Sequence, residues 1–207
     1  IIMQKTELVL IRHGETLWNI QSRMQGHLNS NLSKLGLSQV SLLGKWMKKI
    51  NFRHIYCSDS PRARITAEAI TKLSGHDLKI DKRLREKNLG IFEGLTSDEA
   101  MNKYPEAFRL FKTAGSEYII KNGESTKQLL ERTFEFIEEI RNIHKNERVI
   151  IVTHGGVVRV LINHTLGISL DSATCFQIRN TGIFHLFWDE KWMVSKMGEV
   201  PHLELKR

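Results

Sequence analysis

Two short aliphatic runs, each halted at a histidine, constrain this chain more than any other feature. Leu8-Val9-Leu10-Ile11 leads into Arg12-His13-Gly14, and Val149-Ile150-Ile151-Val152 leads into Thr153-His154-Gly155-Gly156. An unbroken aliphatic run of this length reads as a strand buried on both faces, as in a parallel sheet. Arginine and histidine at a strand end are not core material, and glycine lets the chain turn away at once. Ligands of parallel sheets bind in the crevice beyond the carboxyl ends of the strands. If the two runs are neighbours, His13 and His154 face each other across that crevice.

The rest of the chain supports a sheet of this kind. Ser33 is an N-cap for a helix placing Leu37, Val40, Leu43, Met47 and Ile50 on one face. A strand at 54–57 precedes Ser58-Asp59-Ser60-Pro61, which opens a capped helix with Pro61 near its first position, and a short strand follows at 78–80. Residues 97–114 read as two short helices divided at Pro105. Ser125-Thr126-Lys127-Gln128 is a capping-box pattern for a long helix carrying Leu130, Phe134, Ile137 and Ile140. A helix from about 157 to 166 and three strands near 174–179, 183–188 and 192–197 complete the chain. Alternating strands and helices predict a three-layer α/β/α sandwich with a mostly parallel central sheet, and 207 residues without a linker predict one domain over 1–207.

Charge and cysteine usage narrow the function. Lysine and arginine outnumber aspartate and glutamate by 31 to 23, a net charge of +8. No long basic block or aromatic-interleaved patch accompanies that surplus, so it reads as a solvated surface and not a nucleic-acid interface. A basic pocket for a small phosphorylated metabolite fits within it. No apolar run reaches membrane-spanning length and no signal-peptide core is visible. Cys57 and Cys175 make no disulfide framework, Cys57 reads as a core residue, and the cytoplasm is the expected compartment. The opening Ile1-Ile2-Met3 is read with Met3 as the true start.

The strand ends carry the chemistry. Arg12 presents a permanently charged planar fork suited to phosphate. Two histidines would also suit a metal, but no HExxH, acidic cluster or thiolate set accompanies them, and an arginine beside them repels a cation. An anion pocket without metal or other cofactor is therefore expected. Arg62 and Arg64 lie in a first helical turn, where the dipole disfavours them unless an anion binds there; the residues alone do not choose between them. Departure of an alkoxide needs a proton donor, and Glu86 is the available carboxylate.

Arg12-His13-Gly14-Glu15-Thr16 resembles the signature of the histidine phosphatase superfamily, which includes the cofactor-dependent phosphoglycerate mutases. The likeness continues through Trp18-Asn19, Ser58-Asp59 with Arg62-Ala63 and Thr66-Ala67, Leu84-Arg85-Glu86, Gly94, Gly123-Glu124-Ser125 and Val152 to Gly156. It implies a phosphoglycerate mutase-like fold. It also implies that His13 accepts the phosphoryl group, that Arg12, Arg62 and His154 surround it, and that Glu86 is the acid and then the base. Asn19, Gln25, Gly26 and Gly155 resemble further substrate contacts. Two features favour a phosphatase over a mutase. Only 68 positions separate Glu86 from His154, and Gly26-His27 stands where the mutases carry Gly-Trp. Asn29 and Asn31 replace the Asp and Pro common in relatives, which bears on substrate choice. A catalytically inactive phospho-ligand-binding module is the third alternative, weakened because every family catalytic position holds the expected residue type.

Overall fold

In the computed structural model, which describes residues 5–172 and 175–204, β1 (Glu7–Arg12) and β4 (Arg148–Thr153) lie side by side and parallel, with Arg12 opposite Thr153. Both strands are as buried as their composition demands: Leu8, Leu10, Ile11 and Val149 to Val152 have no exposed surface. The other strands are β2 (His54–Cys57), β3 (Leu78–Ile80), β5 (Ile183–Asp189) and β6 (Lys191–Glu199). The sheet order is β3-β2-β4-β1-β5-β6; the first four strands are parallel, and β5 and β6 are antiparallel additions. The expected neighbours are thus neighbours, and both histidines follow the carboxyl ends of central strands.

Alternate side chains of the central strands feed two cores. Val9, Ile11, Ile150 and Val152 pack under α2 (Lys34–Met47) and α3 (Pro61–Ser74), after a single-turn α1 (Leu17–Ile20). Leu8, Leu10, Val149 and Ile151 pack under α6 (Thr126–Ile143) and α7 (Gly155–Leu166). The result is the three-layer sandwich. A third cluster joins Phe92 and Ile120 to α4 (Ser97–Lys103) and α5 (Pro105–Thr113), divided at Pro105 as expected. The short α8 (Pro201–Glu204) lies against α2. Among the described residues no helix is long and apolar enough to cross a membrane.

Several expectations need correction. Residues 175–179 form no strand, and 173 and 174 lie outside the described residues, as does Met3. The segment before β5 turns under β1 instead: Thr181, at φ 56°, donates its N–H to Arg12 O, and Ile178 O accepts from the Arg12 guanidinium. Leu37 is 55% exposed, because α2 faces the core through Gly36, Val40, Leu43, Gly44 and Met47. On α6 the buried face runs through Leu129, Phe136, Ile137 and Ile140, while Leu130 and Phe134 pack at its border. The α3 cap also differs, since Ser60 makes no side-chain bond to its helix.

Candidate active site

Strand ends, the first turns of α3 and α7, and the end of α5 enclose a cleft of about 660 Å³. Arg12, His13 and Arg62 line it together with Asn19, Gln25, Gly26, Glu86 and Gly156.

His13 is 3% exposed, and its Nδ1 lies 2.8 Å from the carbonyl of Gly14. A carbonyl oxygen only accepts, so Nδ1 carries the hydrogen and Nε2 holds the free lone pair. Burial, reinforced by Arg12 and Arg62, holds the His13 pKa well below the usual histidine value. The ring is therefore neutral near pH 7, in one tautomer. His154 meets it edge-on, with ring centroids 5.2 Å apart. His154 is fully buried. Its Nε2 lies 2.9 Å from Ser58 Oγ and 3.2 Å from Ser60 Oγ, which explains the missing helix cap. Burial, then Arg62 and His13, also lower the His154 pKa well below the usual range.

The arginines are fixed by backbone carbonyls. Arg62 is 1% exposed and donates through Nη1 to Leu28 O and through Nη2 to Gly26 O, both at 2.8 Å. Burial lowers its pKa to about 10, so it stays cationic at neutral pH. Arg12 donates through Nη1 to Ile178 O. Among the described residues, Arg12 Nε, Arg62 Nε and His154 Nδ1 are buried without hydrogen-bond partners. Buried polar groups are ordinarily paired. Three such nitrogens around one histidine constitute a site with anion-binding capacity not met by the protein.

Glu86 stands opposite this cationic group. Its Oε1 accepts from Lys87 N at 2.7 Å and its Oε2 from Gly156 N at 3.0 Å, in the first turn of α7. Behind it, Arg132 of α6 donates to the carbonyls of Arg83, Arg85 and Glu86, and its guanidinium also meets the Glu124 carboxylate. Asn19 Oδ1 accepts from Thr16 N and from Asn180 Nδ2, and Asn19 lines the cleft. Gln25 Oε1 is buried without a partner. Gly26 sits at φ 53°, where a Cβ would collide with the Glu93 carboxylate. Gly155 is the one expected contact that the cleft replaces: it packs beside Arg12, while Gly156 lines the wall.

Several contributors are not evident from sequence. Asn180 donates to His13 O, yet it lies in an irregular segment without a motif. Lys87 and Arg159 line the outer cleft with Leu89, Phe111 and Tyr118. Lys87 adjoins Glu86, a signal that could have found it; Arg159 shows only as the one lysine or arginine of α7.

The profile of the histidine phosphatase superfamily (branch 1) matches residues 8–199. The chain belongs to that superfamily. A metal-independent phosphoserine phosphatase of Arabidopsis thaliana is 37% identical to this histidine phosphatase over 201 residues, covering 96% of this chain and 83% of the relative. Phosphoglycerate mutase-like protein 4 of the same plant is 36% identical over 203 residues, covering 96% and 87%. Among solved structures, Bacillus stearothermophilus YhfR superposes with a TM-score of 0.87 at 34% identity, covering 96% of this chain and 99% of that one. Superfamily relatives thus include both phosphatases and mutase-like proteins. The fold is the phosphoglycerate mutase-like one expected.

Proposed function

We propose that this histidine phosphatase is a metal-independent phosphomonoesterase that hydrolyses small phosphate monoesters through a phosphohistidine at His13. The observation that carries the reading is the fixed geometry of His13: Nδ1 donates to Gly14 O, which leaves the Nε2 lone pair for attack, and Arg12 and Arg62 line the same cleft. Nε2 attacks phosphorus, and the bond to the ester oxygen breaks as Glu86 gives that oxygen a proton. Arg12, Arg62 and His154 stabilise the charge that spreads over the phosphoryl oxygens. Glu86, now a carboxylate, then takes a proton from water as the water attacks the phosphohistidine and frees the His13 lone pair. Asn19 Nδ2, Gln25 and the backbone at Gly26 hold the ester in place.

The arginines supply the positive charge that a metal would otherwise bring. Hydrolysis is favoured over transfer because the rim of the cleft, at Lys112, Asp171 and Ser172, is exposed and admits water to the phosphoenzyme. The two free cysteines suit a reducing cytoplasm.

Quenching a labelled turnover mixture at alkaline pH should trap an acid-labile phosphoprotein that is absent from His13→Ala. Label that persists in that variant would overturn the nucleophile assignment. Turnover of a monoester panel should survive exhaustive chelation. Supplying 3-phosphoglycerate with catalytic 2,3-bisphosphoglycerate separates the alternatives. Rapid isomerisation with negligible phosphate release would make the protein a mutase, and binding without turnover of any ester would make it a binding module.

A further inference from the structure

Gly26 and Leu28, whose carbonyls hold the Arg62 guanidinium, lie in an irregular turn. A carboxylate from a distant part of the chain fixes that turn. Glu93 Oε1 accepts from His27 N at 2.8 Å, and Glu93 Oε2 accepts from Leu28 N at 3.1 Å. Oε1 also accepts from Leu89 N at 3.1 Å. One half-buried carboxylate thus takes three backbone N–H groups, two of them in the turn that holds Arg62. Gly26 belongs to the same contact, since a Cβ there would strike Glu93 Oε1.

The peptide group between Gly26 and His27 is shared by both charges. Its N–H donates to Glu93, and its carbonyl accepts from Arg62 Nη2. The carboxylate polarises that peptide so that its oxygen is a stronger acceptor for the cation. Through space, the charges of Glu86 and then Glu93 oppose the lowering of the Arg62 pKa by burial. Glu93 is itself anchored. It follows a single 3₁₀ turn (Gly90–Phe92) whose Phe92 is fully buried in the third cluster. The residues beside it pair with the entry to the turn: Gly94 N donates to Met24 O at 2.7 Å, and Met24 N donates to Leu95 O at 2.9 Å. Contacts therefore run unbroken from a buried aromatic, through a carboxylate and a peptide group, to the guanidinium in the cleft.

We propose, on the reading of Arg62 as a phosphate ligand, that Glu93 is its positioning residue: acting through the backbone of residues 26–28, it sets the guanidinium for the phosphoryl group. Arg62 spends one N–H of each Nη on the two carbonyls, while its Nε is unpaired. A planar fork held at two corners has the direction of its remaining N–H groups fixed as well. If the turn shifts, those groups shift with it. Glu86 is held separately, by Lys87 N and Gly156 N, so loss of Glu93 falls on the phosphoryl group common to every ester. A carboxylate that merely closed a surface turn would add stability without favouring Arg62.

Binding of inorganic phosphate to the full-length protein, measured by titration calorimetry, tests this without turnover. Glu93→Gln keeps the shape, removes the charge and sets an amide NH₂ against a backbone N–H. Glu93→Asp keeps the charge and withdraws it by one methylene. Each should weaken phosphate binding at least about tenfold. Each should also lower kcat/KM by the same factor for alkyl and nitrophenyl phosphates, unlike a change at the acid. In an Arg62→Gln background, Glu93→Gln should cost less than about twofold more, because its effect passes through the missing guanidinium. A second loss as large as the first overturns the proposal, as does wild-type phosphate affinity in both Glu93 variants. Failure of both variants to fold would make Glu93 a folding residue and overturns it too. Phosphate that does not bind the wild-type protein would overturn the anion reading of the cleft, and this proposal with it.

Discussion

Glu86 Oε1 and Oε2 are each fixed by one backbone N–H, so the carboxyl group holds its place before substrate arrives. Glu86→Gln should lower kcat about 100-fold or more for alkyl phosphates and under about tenfold for nitrophenyl phosphate, whose leaving group needs little protonation. Equal losses on both would reduce Glu86 to a positioning residue. Lys87 and Arg159 make a second residue-scale prediction. Lys87 Nζ donates to Thr126 Oγ1 in the cleft wall, and burial, then Arg159, lower its pKa to about 8. Arg159 shows no hydrogen-bond or ion-pair partner among the described residues. Together they offer positive charge to a leaving group. Lys87→Met and Arg159→Gln should each raise KM about tenfold for monoesters bearing a carboxylate, such as phosphoserine, and leave uncharged esters nearly unchanged. At this scale the sequence was legible where a polar residue ended an apolar run, as at His13 and His154. It was ambiguous at Arg62 and Arg64, which the residues alone did not separate. The register of α3 decides, burying Arg62 and turning Arg64 out to Glu68. Asn180 was illegible because its role depends only on where an irregular segment passes.

The elements were legible where their periodicity was strong, and the failures have a common cause. The helical faces were read from apolar residues alone, which made Leu37 a core residue. Gly36 sets the true face of α2, since a Cβ there would lie closer than 3.0 Å to the Glu15 carbonyl. Close backbone approach leaves no hydrophobic signal in a sequence. The segment at 174–179 alternates like a strand, yet Arg12 and the turn at Thr181 draw its described part away from the sheet. Residue patterns report burial, and they do not report which backbone groups a buried arginine will claim. The same limit conceals what α6 does for the site. Arg132 reaches three carbonyls of the 83–86 segment at 2.6 to 2.9 Å while meeting Glu124, so α6 sets the position of Glu86. A lysine keeps the charge and loses the planar fork. Arg132→Lys should therefore lower kcat for alkyl phosphates by about tenfold or more, through misplacement of the acid, with KM little changed. Nitrophenyl phosphate should be spared, as with Glu86→Gln. A loss common to all substrates would place Arg132 in folding and not in alignment of the acid.

Across the whole molecule, burial of histidine couples the site to stability. His13, His144, His154 and His202 are all buried, and His185 is partly so; burial lowers the pKa of each, that of His202 to about 4. His202 ties α8 to the site, because its Nε2 meets Thr181 Oγ1 and the Thr181 N–H reaches Arg12 O and His13 O. In the unfolded chain these histidines take up protons as pH falls through about 6.5. In the folded protein they do not, until pH drops to their lowered values. The unfolded state thus binds more protons below pH 6.5, and stability must fall as pH falls. For His202 the window runs from about 6.5 down to about 4. Above pH 6.5 both states are neutral at these positions, and the dependence vanishes. Each histidine held neutral costs about 1.4 kcal/mol of stability per pH unit within its window. Urea unfolding between pH 7.5 and 5 should show a midpoint that is level at first and then declines steadily, with an unchanged slope against urea. His202→Gln should shift the whole curve yet flatten the decline by one histidine's share. A midpoint independent of pH across that range would mean that the folded protein opens enough to protonate its histidines, and the neutral His13 on which the phosphoryl transfer rests would fall with it.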